Sequence, residues 1–162
     1  MSTRLTITIT VTVNGEPMTA AVEPRMSLAD FLRAEGLKGT HVGCEHGVCG
    51  ACTVRVDGRT ARGCLILAVQ CDGLAVETIE GATDSGRLRD LQDAFIDNNA
   101  LQCGFCTPGM LLAADELLRH RATPSRQAIR EHLSGNYCRC TGYQAIVDAV
   151  EQVAKRRAGQ GS

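Results

Sequence analysis

Tryptophan is absent from this sequence of 162 residues, and aromatic residues make up only 3% of it. An excess of charge of one sign is also lacking, because 18 acidic residues balance 17 basic ones. Proteins that bind nucleic acid need a basic surface, and those that bind single strands also need aromatic side chains on which bases stack. The composition therefore argues against a nucleic-acid partner.

Long apolar runs are missing as well, since none approaches the roughly 20 residues of a membrane-spanning helix. Residues 1–7 alternate polar and apolar types, so they lack the apolar core of a signal peptide, and no twin arginine lies near them. We therefore expect a cytoplasmic protein without a membrane span. That compartment is reducing and disfavours disulfides, so the nine cysteines of the chain need another explanation.

Hydrophobic periodicity changes once along the chain and so predicts two domains, residues 1–80 and residues 87–157. The segment 81–86 between them contains two glycines and otherwise small or polar residues, a composition typical of a linker. A chain of this length is long enough for two small domains. Its hydrophobic content of 44% is sufficient for packed cores.

The first domain is predicted to consist of strands and one helix. From Leu5 to Val13 apolar residues alternate with threonines, which is the period-2 pattern of a β-strand. Asn14-Gly15 and Asp57-Gly58 are hairpin signals, because type I′ turns need positive φ at both central positions. Ser27 is a predicted N-cap for a short helix.

The second domain is predicted to be a four-helix bundle, so that the fold class of the chain is α+β. Four segments repeat apolar residues with helical spacing, and short amphipathic helices of this kind bury their apolar faces only against one another. A short internal repeat accompanies them, because Cys106-Thr107-Pro108-Gly109 opens the second helix and Cys140-Thr141-Gly142 opens the fourth. Pro108 suits the first turn of a helix, where its missing N–H is not needed.

One group of cysteines has the spacing C-x4-C-x2-C with a fourth cysteine after eleven more residues. The first three match the plant-type pattern of a [2Fe-2S] cluster, and three glycines let this loop bring its backbone N–H groups close to the sulfurs. Zinc is the less favoured alternative, because zinc knuckles prefer paired C-x2–4-C motifs. His41 and His46 are expected to face solvent or to pack rather than to bind metal. The candidate ligands are Cys44, Cys49, Cys52 and Cys64, and the loop glycines are Gly43, Gly47 and Gly50.

A second group has the spacing C-x2-C-x31-C-x-C and consists of Cys103, Cys106, Cys138 and Cys140. Taken alone, this count of thiols fits zinc or an iron–sulfur cluster. Both pairs precede predicted helices, whose N-terminal N–H groups and dipoles favour bound negative charge, and this context favours a cluster. The remaining cysteine, Cys71, has no partner nearby in the sequence and is expected to be a small, semi-buried hydrophobic residue.

Three stretches of the chain resemble the iron–sulfur subunit of the molybdenum hydroxylases, the xanthine oxidase family. This family includes aerobic carbon monoxide dehydrogenase and bacterial aldehyde and N-heterocycle dehydrogenases, and the resemblance covers roughly residues 4–154. The stretches are residues 39–53, 101–110 and 135–143, which read GTHVGCEHGVCGACT, LQCGFCTPGM and GNYCRCTGY.

The resemblance implies a β-grasp, plant-type ferredoxin-like domain up to about residue 80 with one [2Fe-2S] cluster. It implies a pseudo-twofold helical domain after it, whose own [2Fe-2S] cluster lies nearer the molybdenum cofactor. The cluster of the first domain then lies nearer FAD. Gln102 is implied to touch the pterin of the molybdopterin on a partner subunit, and Cys140 is implied to lie close to it.

The partners implied by the resemblance are a large molybdopterin subunit and usually a medium FAD subunit, in a complex expected to be a dimer of heterotrimers. The implied reaction is hydroxylation of a substrate carbon with water as the oxygen source. In it, this chain relays electrons one at a time from molybdenum to FAD or another acceptor and performs no substrate chemistry. Two alternatives remain at this stage: a freestanding two-cluster ferredoxin-like carrier and a zinc-bound structural adaptor.

Overall fold

The N-terminal half of the protein forms a mixed sheet backed by one helix, and the computed structural model describes residues 5–159. The elements are β1 (Ile7–Val13), β2 (Glu16–Val22), α1 (Leu28–Ala34), β3 (Thr53–Val56), β4 (Arg59–Arg62) and β5 (Ala75–Glu77). The five strands lie in the order β2-β1-β5-β3-β4. β1 and β5 are parallel, whereas the other neighbouring strands are antiparallel.

Local sequence explains the two hairpins and the start of the helix. Asn14 and Gly15 have φ values of 53° and 90° and connect β1 to β2. Asp57 and Gly58 have φ values of 44° and 81° and connect β3 to β4. The side chain of Ser27 caps the first turn of α1. The predicted hairpins and N-cap are therefore confirmed.

The C-terminal half is helical, as predicted, and the fold is α+β. Its apolar side chains meet in one core, around Phe95, Met110 and Ile146, while a separate core lies between the sheet and α1, around Val11 and Phe31. Among the described residues, every helix is too short or too polar to traverse a bilayer. The helices are α2 (Ile79–Asp84), α3 (Arg89–Asp97), α4 (Thr107–His120), α5 (Arg126–Leu133) and α6 (Gln144–Gly159).

Most of the segment 81–86 is not a linker, because residues as far as Asp84 belong to α2. Its small residues serve close packing. A Cβ at Gly81 would collide with the side chain of Asn14, and Ala82 is fully buried in the helical core. Asn14 in turn accepts a hydrogen bond of 2.8 Å from the N–H of Thr78. The first glycine of the segment thus permits contact between a hairpin and a helix, and the boundaries at residues 80 and 87 stay a prediction.

Two glycines bring the halves of the protein together beside the cysteine-rich loop. Gly109 of α4 lies against the carbonyl of Gly50, so closely that a Cβ at Gly109 would clash with that oxygen. The same carbonyl accepts a hydrogen bond of 3.1 Å from the side-chain amide of Asn136. Gly50 itself has a φ of +73°, which only glycine adopts without strain. Contact between the halves therefore depends on the absence of side chains at these positions.

Replacement of Gly50 by alanine is expected to destabilise the protein more than the same change at Gly86. Both residues have positive φ, which costs about 1–2 kcal/mol for a residue with a Cβ. At Gly86 the new methyl group meets open space, whereas at Gly50 it would lie 2.6 Å from the carbonyl oxygen of Gly135. This crowding should add about 1–3 kcal/mol. Thermal unfolding of the two purified variants measures the fall in melting temperature. Equal falls would contradict the close approach of Gly50 to the carbonyl of Gly135.

Candidate iron–sulfur sites

Four cysteines gather where the loop between α1 and β3 meets the end of β4; we call them the first site. Hydrogen bonds join them in pairs. The N–H of Cys49 donates to Sγ of Cys44 at 3.4 Å, and the N–H of Cys64 donates to Sγ of Cys52 at 3.5 Å. The structure thus brings together the four thiols that the cysteine spacing predicts as ligands, although eleven residues separate Cys52 from Cys64.

The loop of the first site turns sharply enough to expose N–H groups to the sulfurs because several of its residues have positive φ. Gly47 is one of them, with a φ of 83°, and a Cβ there would collide with Leu65. A Cβ at Gly43 would lie 3.2 Å from Sγ of Cys49. Gly43 and Gly47 therefore allow close approaches that a side chain would obstruct, while the role of the loop glycines in bringing N–H groups to sulfur stays a prediction.

Two thiols of the first site have pKa values that are shifted in opposite directions. Backbone hydrogen bonds, above all from Cys49, lower the pKa of Cys44 to about 6. Burial raises the pKa of Cys52 to about 11, and repulsion from the Cys64 and Cys49 sulfurs adds to this effect. Cysteine binds metal as the thiolate, and a bound metal ion stabilises that form. The Cys44 thiol is therefore largely ionised near neutral pH, whereas ionisation of Cys52 would require a bound metal ion.

The second site lies where the polypeptide enters α4 and α6. The Sγ atoms of Cys103 and Cys140 are 3.5 Å apart, while burial and the neighbouring Cys138 sulfur both raise the pKa of Cys106. Cys106 is the N-cap of α4, with Pro108 in the first turn as predicted. The fourth predicted helix begins slightly later than expected, because Tyr143 has a φ of 68° and α6 starts at Gln144.

Burial also differs within the second site. It raises the pKa of Cys106 to about 12. Burial acts in the same direction on Cys138, but hydrogen bonds from the hydroxyl and the N–H of Thr141 outweigh it, so the pKa of this thiol lies below its usual value. Cys103 and Cys140 are exposed. One edge of the second site is therefore open, while the opposite edge is buried between helices.

The donor sets fit [2Fe-2S] clusters, because each site offers four thiols. A two-iron cluster is held by four cysteine thiolates, whereas structural zinc gathers four ligands around one ion. The four thiols of each site therefore match, in number and type, the donors of a two-iron cluster.

The two sites are linked by direct contacts between their loops. The N–H of Tyr137 donates to the carbonyl of Cys49 at 2.8 Å, so a residue next to Cys138 is bonded to a candidate ligand of the first site. The ring of Phe105 stacks on His41 with 4.7 Å between the centroids and 16° between the planes. The packing role expected for His41 is thus observed, and these contacts hold the two loops at a fixed separation.

Gln102 is exposed at the open edge of the second site. Its side-chain amide donates to the carbonyl of Cys140 at 3.2 Å, so the two residues implied to lie near a pterin are neighbours. Cys71 is fully buried in the core beneath the sheet, as a hydrophobic residue would be. The sequence missed Phe105, Tyr137 and Thr141 as contacts of the sites, although the Cys-Thr-Gly repeat contains Thr141.

Comparison with known proteins identifies the family. Residues 11–73 match a 2Fe-2S iron-sulfur cluster binding domain, and residues 78–151 match a [2Fe-2S] binding domain. The chain is 53% identical to the gamma subunit of caffeine dehydrogenase from Pseudomonas sp. (strain CBB1), with 90% of each chain covered. It is 44% identical to the iron-sulfur-binding subunit of xanthine dehydrogenase from Escherichia coli O157:H7, over 94% of this chain and 97% of the relative.

The chain belongs to the small iron–sulfur subunits of the molybdenum hydroxylase family. A crystal structure of quinoline 2-oxidoreductase from Pseudomonas putida 86 superposes with a TM-score of 0.89 at 50% identity, over 97% of this chain and 98% of that one. As a member of this family, the protein is an electron-transfer component of an oxidoreductase complex with two [2Fe-2S] clusters, and the molybdenum cofactor belongs to a partner subunit. The family assignment does not favour the freestanding carrier.

Proposed function

We propose that the first and the second site each hold one [2Fe-2S] cluster through their four cysteines. When bound, such a cluster accepts and releases one electron at a time. The proposed route runs from the molybdenum centre of a large subunit to the second site, then to the first site, and then to FAD on a medium subunit. The complex is proposed to be a dimer of heterotrimers in the cytoplasm, where free thiols persist.

The observation that carries this proposal is the contact between two four-thiol sites, of which one has an open edge. The hydrogen bond from Tyr137 to Cys49 fixes the loops of the two sites against each other. Gln102, Cys103 and Cys140 are exposed at the open edge, where a cofactor on a partner has access. This chain therefore supplies rigid spacing, buried thiols and hydrogen bonds to sulfur, which are the features by which a protein sets cluster potentials.

The substrate is proposed to be a nitrogen heterocycle that is hydroxylated on carbon. Caffeine, xanthine and quinoline, which appear in the names of three similar proteins, are all compounds of this class. The substrate pocket itself is proposed to lie on the large subunit. This part of the proposal concerns the complex as a whole.

Purification of the native complex through a tag on this chain tests the proposed function. We expect about four iron atoms per chain, from two clusters of two irons each, together with molybdenum, pterin and FAD on co-purifying subunits. The complex should reduce an artificial electron acceptor with a nitrogen heterocycle as the donor. A chain that carries both clusters but purifies alone would favour the freestanding carrier, and a colourless protein that contains zinc would favour the structural adaptor.

A further inference from the structure

Two hydrogen-bond donors of one residue converge on a buried sulfur of the second site. The hydroxyl of Thr141 donates to Sγ of Cys138 at 3.1 Å, and the N–H of Thr141 donates to the same sulfur at 3.4 Å. Cys138 is only 9% exposed. In such an environment, a hydrogen bond is electrostatically stronger than in water.

The neighbouring residues fix the direction of this hydroxyl. The N–H of Tyr143 donates to Oγ1 of Thr141 at 3.2 Å, while the phenol oxygen of Tyr143 accepts the N–H of Cys138 at 2.9 Å. The Thr141 oxygen thus accepts a hydrogen bond from Tyr143, and its own proton remains free to be donated to the sulfur. Tyr143 has a φ of 68°, a conformation that is uncommon for residues other than glycine. The turn is therefore built around these contacts.

We propose that Thr141 is a positioning residue that raises the reduction potential of the cluster in the second site through its hydroxyl. The proposal rests on the proposed function, because it requires Cys138 to be a cluster ligand. Reduction adds one electron, and hence one negative charge, to a cluster without making or breaking a bond. Donors that point at a ligand sulfur favour the more negative state and so raise the potential.

The internal repeat provides a matched control. Thr107 follows Cys106 as Thr141 follows Cys140, but Oγ1 of Thr107 is buried and has no hydrogen-bond partner in the described part of the chain. The two threonines are equivalent in the repeat, and of the two hydroxyls only that of Thr141 reaches a sulfur. We therefore expect the Thr141 hydroxyl to change the reduction potential of the cluster and the Thr107 hydroxyl to leave it unchanged.

The test is an EPR-monitored redox titration of the complete complex carrying Thr141→Val, Thr141→Ser or Thr107→Val. Valine keeps the shape of threonine but removes the hydroxyl, so Thr141→Val should lower the equilibrium constant for reduction of one cluster about tenfold, which is about 59 mV for one electron. Thr141→Ser keeps the donor and should restore the potential. Thr107→Val should leave both potentials unchanged.

The proposal is overturned if Thr141→Val retains both cluster signals with unchanged potentials, or if Thr107→Val produces the same shift. If Thr141→Val does not assemble the second cluster, Thr141→Ala replaces it in the comparison with Thr141→Ser. Loss of the cluster in both variants would assign Thr141 to assembly and also overturn the proposal. A wild-type complex with fewer than two cluster signals would instead contradict the proposed function, so the two failures are distinguishable.

Discussion

Replacement of Asp115 by alanine is expected to lower the free energy of unfolding by about 3 kcal/mol, the lower end of the range for breaking a buried ion pair. The side chain of Asp115, in α4, is only 1% exposed, and that of Arg55, in β3, is 4% exposed. Nη2 of Arg55 donates to Oδ2 of Asp115 at 2.8 Å, so the pair connects the helical half to the sheet. Loss of the carboxylate leaves the guanidinium buried with Glu77 as its remaining acidic partner. Denaturant unfolding of the purified variants measures the difference.

Two further variants separate the effect of burial from that of charge. Asp148→Ala removes a carboxylate that pairs with Arg126 at the surface, where both side chains are about a third or more exposed, and should cost about 0–1 kcal/mol. The double replacement Arg55→Met with Asp115→Leu removes both buried charges and should be less destabilising than Asp115→Ala alone. Equal losses for Asp115→Ala and Asp148→Ala would contradict the interpretation that burial makes the Asp115–Arg55 pair costlier to break than the surface pair.

The hairpins and the helix N-cap could be predicted because their causes are local. A type I′ turn depends on the conformational freedom of two adjacent residues, so Asn14-Gly15 was sufficient to place the turn between β1 and β2. The spacing of the cysteines is also a local property, because the first three of the first site lie within one loop. The assignment of Cys64 to the first site additionally assumed that the second hairpin returns the chain to the loop. The structure confirms that it does, because Cys64 lies against Cys52.

What the sequence did not predict depends on contacts between distant segments. Gly81 resembled a linker residue because its contact with Asn14 lies far away in sequence. Asp115 lies among apolar residues of α4, and no local pattern indicates that Arg55, sixty residues earlier, pairs with it. Thr107 and Thr141 have similar sequence contexts, yet only the latter reaches a sulfur, because the polypeptide turns differently after each cysteine pair. Such distinctions depend on contacts that form only in the folded protein.

Replacement of Cys103 by serine is expected to remove one of the two cluster signals completely and to leave the other. Cys103 lies 3.5 Å from Cys140 at the open edge of the second site, so the change removes a ligand that the first site does not share. The iron content should fall from about four to about two atoms per chain. EPR spectra of the reduced complex, together with iron and sulfide analysis, measure both quantities.

Cys64→Ser and Cys71→Ala complete this experiment, since Cys64 belongs to the first site and Cys71 to neither site. Cys64→Ser should remove the signal that survives in Cys103→Ser, because Cys64 belongs to the first site. Cys71 is buried in the core beneath the sheet, where alanine removes only apolar volume, so both signals should remain in Cys71→Ala. Survival of both signals in Cys103→Ser would refute the ligand assignment. Loss of a signal in Cys71→Ala would show that the ninth cysteine belongs to a site, and the division into two quartets would then be wrong.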